Sequence, residues 1–300
     1  MQWKSALKEF QNYLRLEKGL AENSVKSYQR DLEKVAVHFE EQGYSPLQMN
    51  LNLLEECLRE LSKKGLSPRS VARSISALRS FYRYLMLEDY LQENPAELLE
   101  APKLQQKLPE YLEESEVNAM LETIDLSKPE GMRNIAILET MYATGLRVSE
   151  LVGLKISDLF FKEDLIRVVG KGNKERLVPI NKIAQKRIEL YRFEIRNHLD
   201  IQKGFEDHVF LNRRGKALSR AMVFNVVKEA AARAGVRKNI SPHTFRHSFA
   251  THLVKHGADL RAVQEMLGHE SITTTEIYTH LSQEQLRDTI LKYHPRSGYN

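Results

Sequence analysis

Leu165-Ile166-Arg167-Val168-Val169-Gly170-Lys171-Gly172-Asn173-Lys174-Glu175-Arg176-Leu177-Val178-Pro179-Ile180 is the stretch that decides how the chain divides between helix and strand. Two β-branched runs, Leu165–Val169 and Glu175–Ile180, flank Gly170–Lys174, whose glycines and asparagine give the backbone freedom of a tight turn, and the pattern predicts a hairpin. On both sides of it the apolar spacing changes to that of helices. Helices are expected upstream near Ser115–Ile124 and from Met132 to Thr144, the latter closed by Gly145. Downstream they are expected near Asn181–Leu199, Ser219–Ala234, Pro242–His256, Leu260–Leu267 and Gln283–Tyr293.

Farther toward the N-terminus four helical patterns follow one another. Trp3, Leu7, Phe10 and Leu14 share one face before Gly19; Tyr28, Leu32, Val35 and Phe39 share another after a cap at Asn23 or Ser24. A third, acidic helix covers about Leu51–Lys64, and Ser67-Pro68 opens the fourth with a capping hydroxyl and a proline at the first helical position. Along that fourth helix Val71, Ile75, Leu78, Tyr82 and Leu85 lie on one side, opposite a stripe of Arg69, Arg73, Ser76, Ser80 and Arg83 that reads as basic and unpaired. The fold class is therefore mainly α: a small N-terminal four-helix domain and a larger, mostly helical domain with a small antiparallel hairpin. Asn94-Pro95 and Ala101-Pro102 set the boundary, predicting domains over 1–93 and 109–300 joined by a linker over 94–108. The absence of repeats excludes solenoids.

The 300 residues are 42% hydrophobic and 28% charged, an ordinary globular balance that excludes collagen-like and disordered classes. A single cysteine, Cys57, allows no internal disulfide and suits a reducing compartment. No run approaches the ~18 apolar residues of a membrane span, and Met1–Ser5 reads as neither signal peptide nor transit peptide, so a cytoplasmic location without a membrane partner is expected. The net charge is +5. Residues 1–106 hold fifteen basic and fifteen acidic side chains, so the whole excess lies beyond them. Within the neutral part, Leu61–Leu87 carries Lys63, Lys64, Arg69, Arg73, Arg79 and Arg83 with no acid, a segregation expected of an electrostatic footprint for nucleic acid. The competing reading is a solvated face.

Five places in the second part hold chemistry that makes sense together. Thr144-Gly145-Leu146-Arg147-Val148-Ser149-Glu150-Leu151 sets an arginine just past a helix-ending glycine, with Glu150 three residues on. Lys171 stands in the hairpin turn. Ser241-Pro242-His243-Thr244-Phe245-Arg246-His247 opens a helix with His243 and Arg246 near its N-terminus, where the dipole favours an anion. Leu267-Gly268-His269 adds a histidine, and Ile277-Tyr278-Thr279-His280 a phenol. Paired guanidiniums can fork both free oxygens of a phosphodiester and stabilise its transition state. A phenol attacks only when a histidine takes its proton, and an alkoxide leaves readily only when a Lys or His supplies one. No metal or other cofactor is required by such a set.

These runs, in this order, resemble the tyrosine recombinase (phage-integrase) family, most closely its Xer-type members, over nearly the whole chain. The resemblance implies an N-terminal core-binding, SAM-like DNA-binding domain and a C-terminal catalytic domain. It implies Arg147, Lys171, His243, Arg246 and His269 as catalytic and Tyr278 as the nucleophile that forms a 3′-phosphotyrosyl link, with Glu150 and His247 supporting. Lys26, Arg30, Arg69, Arg73, Arg79 and Arg83 become candidate contacts to DNA. The implied function is site-specific strand exchange through a Holliday junction, resolving chromosome dimers at cell division or, alternatively, serving a mobile element. The implied partners are a duplex recombination site, further copies of the chain or a paralogue in a cyclic tetramer, and a DNA translocase that activates it.

Other classes fit less well. A non-cutting architectural protein would be announced by a lost Tyr or Arg. A metal-dependent nuclease needs clustered carboxylates. The spacings His243/His247 and His252/His256 would suit zinc on a helix, but Arg246 repels a cation and no Glu occupies the HExxH position. A type IB topoisomerase, with the same chemistry, is the nearest rival. Tyr28, Tyr82 and Tyr142 fall on apolar stripes and read as core. Leu286, Ile290 and Tyr293 form a short stripe that a lone helix cannot leave exposed; the resemblance implies that it docks on a neighbouring subunit, the alternative being packing against its own domain in the free monomer.

Overall fold

The computed structural model describes residues 1–103, 110–268 and 283–297, the side chains of Lys171, Gln283 and Glu284 apart. The chain divides into two compact units, Met1–Leu108 and Pro109–Asn300. The first is built from α1 (Trp3–Leu16), α2 (Glu22–Glu41), α3 (Leu51–Lys63) and α4 (Pro68–Leu87). Their apolar faces close on an aromatic centre in which Trp3 stacks on Phe39 at 6.1 Å and on Phe81 at 5.9 Å. The polar handles of this centre are satisfied: Trp3 Nε1 donates to the Tyr44 carbonyl at 3.0 Å and Tyr82 Oη to that of Pro46 at 3.3 Å. Ser67 caps α4 as its sequence requires, accepting from Ser70 N–H.

Two expectations for this unit are corrected. Residues 94–100, assigned to the linker, fold back on α4: Ala96 and Leu99 are buried in the unit's core, and Arg79 donates to both their carbonyls. Their short apolar turn is too brief to show a periodicity but large enough to need covering. The stripe on α4 is also not unpaired. Arg73 forks the fully buried carboxylate of Asp31 on α2, one bond measuring 2.9 Å, Arg79 is engaged with backbone, and Arg83 lies 3.9 Å from Glu97.

The second unit contains α5 (Glu114–Glu122), α6 (Pro129–Thr144), α7 (Val148–Val152), β1 (Leu159–Phe160), β2 (Leu165–Val169), β3 (Glu175–Pro179), α8 (Lys182–Leu190), α9 (Arg220–Arg233), α10 (Pro242–Lys255), α11 (Leu260–Leu267) and α12 (Gln283–Tyr293). The hairpin is present, with Leu165 opposite Pro179 and Val169 opposite Glu175, and the two-residue β1 extends it to three antiparallel strands. The expected helix Asn181–Leu199 is α8 followed by a π-turn over Tyr191–Ile195 and a 3₁₀ turn. α6 is buried on nearly all sides and forms the axis of the core. It ends at Gly145, where φ is +60° and a Cβ would stand 2.5 Å from the Phe249 ring. Only glycine satisfies both the left-handed turn and this approach of α10.

For the C-terminal helix the single chain shows the alternative to docking on a neighbour, packing against its own unit. α12 packs on its own unit, burying Leu286 and Ile290 against Phe249, Leu253, Val263 and Met266. Arg287 donates to Asp164 at 2.7 Å, and Arg296 beyond the helix pairs with the buried Glu139. A short amphipathic helix needs a partner surface, and its own unit supplies one. The residues that would cap it, Leu281 and Ser282, lie outside the described residues. No described helix is long and apolar enough to cross a membrane.

Candidate active site

The site grows from three helix ends. Gly145 turns the chain out of α6, Leu146 is buried behind it, and Arg147 becomes the residue that caps α7. Glu150, in the first turn of α7, reaches back to accept the Arg147 N–H at 2.8 Å and the Arg147 guanidinium at 2.9 Å. A carboxylate at a helix N-terminus is favoured by the dipole and by the unpaired N–H groups there. The carboxylate also takes a two-pronged grip from Arg176 on β3, Nη1 to Oε1 and Nη2 to Oε2, each 2.9 Å. Burial disfavours the charge on Glu150, but hydrogen bonds from Arg176 and from the Arg147 backbone outweigh it and hold its carboxyl below the ordinary range.

The third helix end is the C-terminus of α11, whose last carbonyls have no partner within the helix. Three guanidiniums take them in turn. Arg176 Nε donates to Met266 O at 2.9 Å, Arg246 Nη2 to Leu267 O at 2.6 Å, and Arg147 Nη2 to Gly268 O at 3.2 Å. Arg246, on α10, also donates to Gly145 O at 2.8 Å, so it ties the ends of α6 and α11 together. Burial first, then the charge of Arg147, lowers the Arg246 pKa to about 10, which leaves it a cation at neutral pH. Two of its five N–H groups are engaged by these carbonyls, and among the described residues the other three have no hydrogen-bond partner. Among the described residues the cluster holds three guanidiniums against one carboxylate. That excess of positive charge, fixed by the fold, suits a phosphate.

The remaining predicted residues fall as follows. Lys171 sits in the hairpin turn, where Gly172 and Asn173 take positive φ and Gly170 N–H closes the turn on Lys174 O at 2.8 Å. His243 is exposed in the first turn of α10, one turn before Arg246. His247 is half-buried beside the Tyr111 ring, and burial, then the neighbouring His243, lowers its pKa and keeps it neutral. His269 and Tyr278 lie outside the described residues. The histidines with zinc spacing are engaged otherwise: His252 Nδ1 meets Tyr142 Oη at 2.7 Å, and His256 Nε2 faces Glu114. Among the described residues no group of His, Cys, Asp and Glu is placed to hold a metal ion.

Arg176 is the member that sequence reasoning missed. Its signal was the alternation along β3: it stands two residues before the buried Val178, on the inward side, where a charge needs a partner. In the first unit, Arg30 and Arg69 are exposed, and Lys26 is exposed with Glu22 at 3.5 Å.

A helical first unit, joined to a helical unit that concentrates guanidiniums at a strand hairpin and three helix ends, suits an enzyme that acts on a phosphodiester. The sequence pattern of the Phage integrase family matches residues 110–285 and that of the Phage integrase N-terminal SAM-like domain residues 7–89. The chain belongs to this family, the tyrosine recombinases, which cut and rejoin DNA by transesterification through a tyrosine and need neither metal nor ATP. It is 41% identical over 292 residues to tyrosine recombinase XerD of Staphylococcus haemolyticus (strain JCSC1435), covering 97% of this chain and 99% of that one. The XerD of Staphylococcus aureus (strain Mu50 / ATCC 700699) is 42% identical over the same shares of both chains. Among solved structures it resembles XerH site-specific recombinase bound to palindromic difH substrate in a post-cleavage complex, with a TM-score of 0.71 and 26% identity over 95% of this chain and 83% of that one. A lambda integrase dimer bound to a COC′ core site shares the fold, with a TM-score of 0.71 and 18% identity over 94% of this chain and 100% of that one.

Proposed function

We propose that the chain cuts and exchanges strands at a defined duplex site, with Tyr278 as nucleophile, and resolves chromosome dimers at cell division. The observation that carries this reading is the fixed cluster of Arg147, Arg176 and Arg246 around Glu150, anchored on the carbonyls that immediately precede His269. In the proposed step the Tyr278 oxygen attacks phosphorus while its proton passes to a histidine, His243 or His269. The bond to the 5′ oxygen breaks, Lys171 protonates that oxygen, and Arg147 and Arg246 hold the two free phosphate oxygens. The phosphodiester energy is kept in the tyrosyl ester, so the reverse reaction on a new strand needs no ATP.

The first unit is proposed to hold the duplex, with Arg30, Arg69, Lys26 and Arg83 as contacts and Arg73 and Arg79 as internal staples. Four protomers on two duplexes, of this chain or with a paralogue, and an activating DNA translocase complete the proposal. The near-full-length likeness to proteins named XerD favours chromosome-dimer resolution over service to a mobile element. The test is incubation with a nicked suicide duplex carrying a chromosome-terminus site. A covalent protein–DNA band is expected for the wild type and none for Tyr278→Phe, which should still bind. A persistent band in that variant removes Tyr278 from the mechanism.

A further inference from the structure

Two of the three arginines on the end of α11 already have a part in the proposed chemistry; the third does not. Arg176 is rooted in β3, the strand that leaves the Lys171 turn, and its side chain is largely covered. All three of its nitrogens are engaged, two on both oxygens of Glu150 and one on Met266 O. Glu150 receives four hydrogen bonds in the cluster, two from Arg176 and two from Arg147. Arg176 also lies flat against Gly268: a Cβ built there would stand 3.3 Å from its Cδ, Nε and Nη1. Gly268 is left-handed, φ +64°, so a side chain at this point would be strained by the turn and would press the guanidinium back by a few tenths of an ångström.

We infer that Arg176 is a positioning residue for strand cleavage, acting through Glu150 on Arg147 and through Met266 on the start of the segment that leads to Tyr278. The inference rests on the recombinase reading above. Its physical content is a lock between two elements far apart in sequence, the first turn of α7 and the last turn of α11. Without the fork, Glu150 keeps, of its bonds among the described residues, those to Arg147 and can pivot with it, and the end of α11 loses one of the three guanidiniums described on it. A lysine cannot replace it, because one ammonium is a point donor that cannot span both carboxylate oxygens and a carbonyl beyond them. Because a misplacement of about 1 Å in a transition-state donor can lower a rate about a hundredfold, the effect should fall on the chemical step.

The test uses the full-length protein and the suicide duplex, with rates read at saturating protein. Arg176→Ala should slow adduct formation about tenfold to a hundredfold while the DNA dissociation constant stays within about threefold. Arg176→Lys should remain close to Arg176→Ala, and Arg176→Met, which keeps the stem, should show the same slowing with binding kept where Arg176→Ala folds poorly. The double variant Glu150→Gln with Arg176→Ala should be no slower than the slower single variant, since both act through one lock. In DNA-free protein, hydrogen exchange at the amides of Met266–Gly268 should rise in Arg176→Ala, with α6 unchanged. A wild type that forms adduct and an Arg176→Ala that matches it, or full rescue by Arg176→Lys, overturns the inference. Equal losses of binding and cleavage, with exchange raised throughout the unit, would overturn it too, by showing general damage. A wild type that forms no adduct overturns the recombinase reading instead.

Discussion

Each unit buries carboxylate against arginine, and two such groups, Asp31 in the first and Glu150 in the second, do different work. In the first, Asp31 is fully buried on α2 and answered by Arg73 on α4, with Lys34 at 3.5 Å. In the second, Glu150 is answered by both Arg147 and Arg176, while Arg246 is buried in the same cluster. The acid in the first unit fastens two helices. The acid in the second organises an excess of cations, and the helix carbonyls beside it hold the extra guanidiniums without neutralising them. A further buried guanidinium, Arg246, and the helix carbonyls that hold the cluster, rather than burial of the acid, separate the anion site from the staple.

The largest contrast should appear when one arginine is removed from each region. Arg147→Ala removes a transition-state donor and should lower the adduct rate about 10²–10³-fold on the suicide duplex. Arg73→Ala should leave that rate within about twofold but lower the stability of the first unit by about 1–3 kcal/mol, because it leaves Asp31 buried without its fork. Denaturant unfolding together with single-turnover cleavage reads both. A catalytic loss in Arg73→Ala equal to that in Arg147→Ala would erase the distinction.

Acidification should separate the units by a smaller amount. The second unit buries His294, whose ring meets the Tyr142 carbonyl at 3.0 Å; burial lowers its pKa to about 4 from an ordinary 6.5. The unfolded chain therefore binds a proton that the folded chain refuses. The stability this histidine contributes is full above pH 6.5 and is lost as pH falls toward about 4. The first unit has a single histidine, His38. Hydrogen exchange across that interval should show α12 and α6 loosening before α1 and α4, and His294→Gln should flatten the dependence. Equal loosening of both units would contradict it.

The smallest effects belong to the exposed basic residues of the first unit. Each of Arg30→Ala and Arg69→Ala should reduce the slope of log affinity against log salt by about one, and Arg79→Ala by less, since Arg79 is engaged with backbone. Unchanged slopes for Arg30 and Arg69 would mark this face as merely solvated.

The same comparison shows what the sequence makes legible. Most helices, the hairpin and the cap at Ser67 follow from local periodicity and local hydrogen bonding and fall where expected, whereas α2 opens at Glu22, ahead of the cap expected at Asn23 or Ser24. The pairing of Arg73 with Asp31 spans 42 residues and that of Arg176 with Glu150 spans 26, and no local pattern links such positions. β1 and α7 are too short to carry a period, and the turn over 94–100 is fixed by what it packs against. Of the cluster, Arg147, Glu150 and Arg246 were legible because they stand in short runs crowded with chemistry. Arg176 was not, because it acquires its role from tertiary neighbours.

The most direct measurement maps the covalent bond itself. The complex trapped on the suicide duplex would be digested with trypsin and nuclease, and the peptide carrying a nucleotide sequenced by mass spectrometry. The account predicts the modification on the peptide Ala262–Arg287, which contains one tyrosine, Tyr278, joined through a 3′ phosphate. A nucleotide on any other peptide, or a 5′-phosphate linkage, would contradict it.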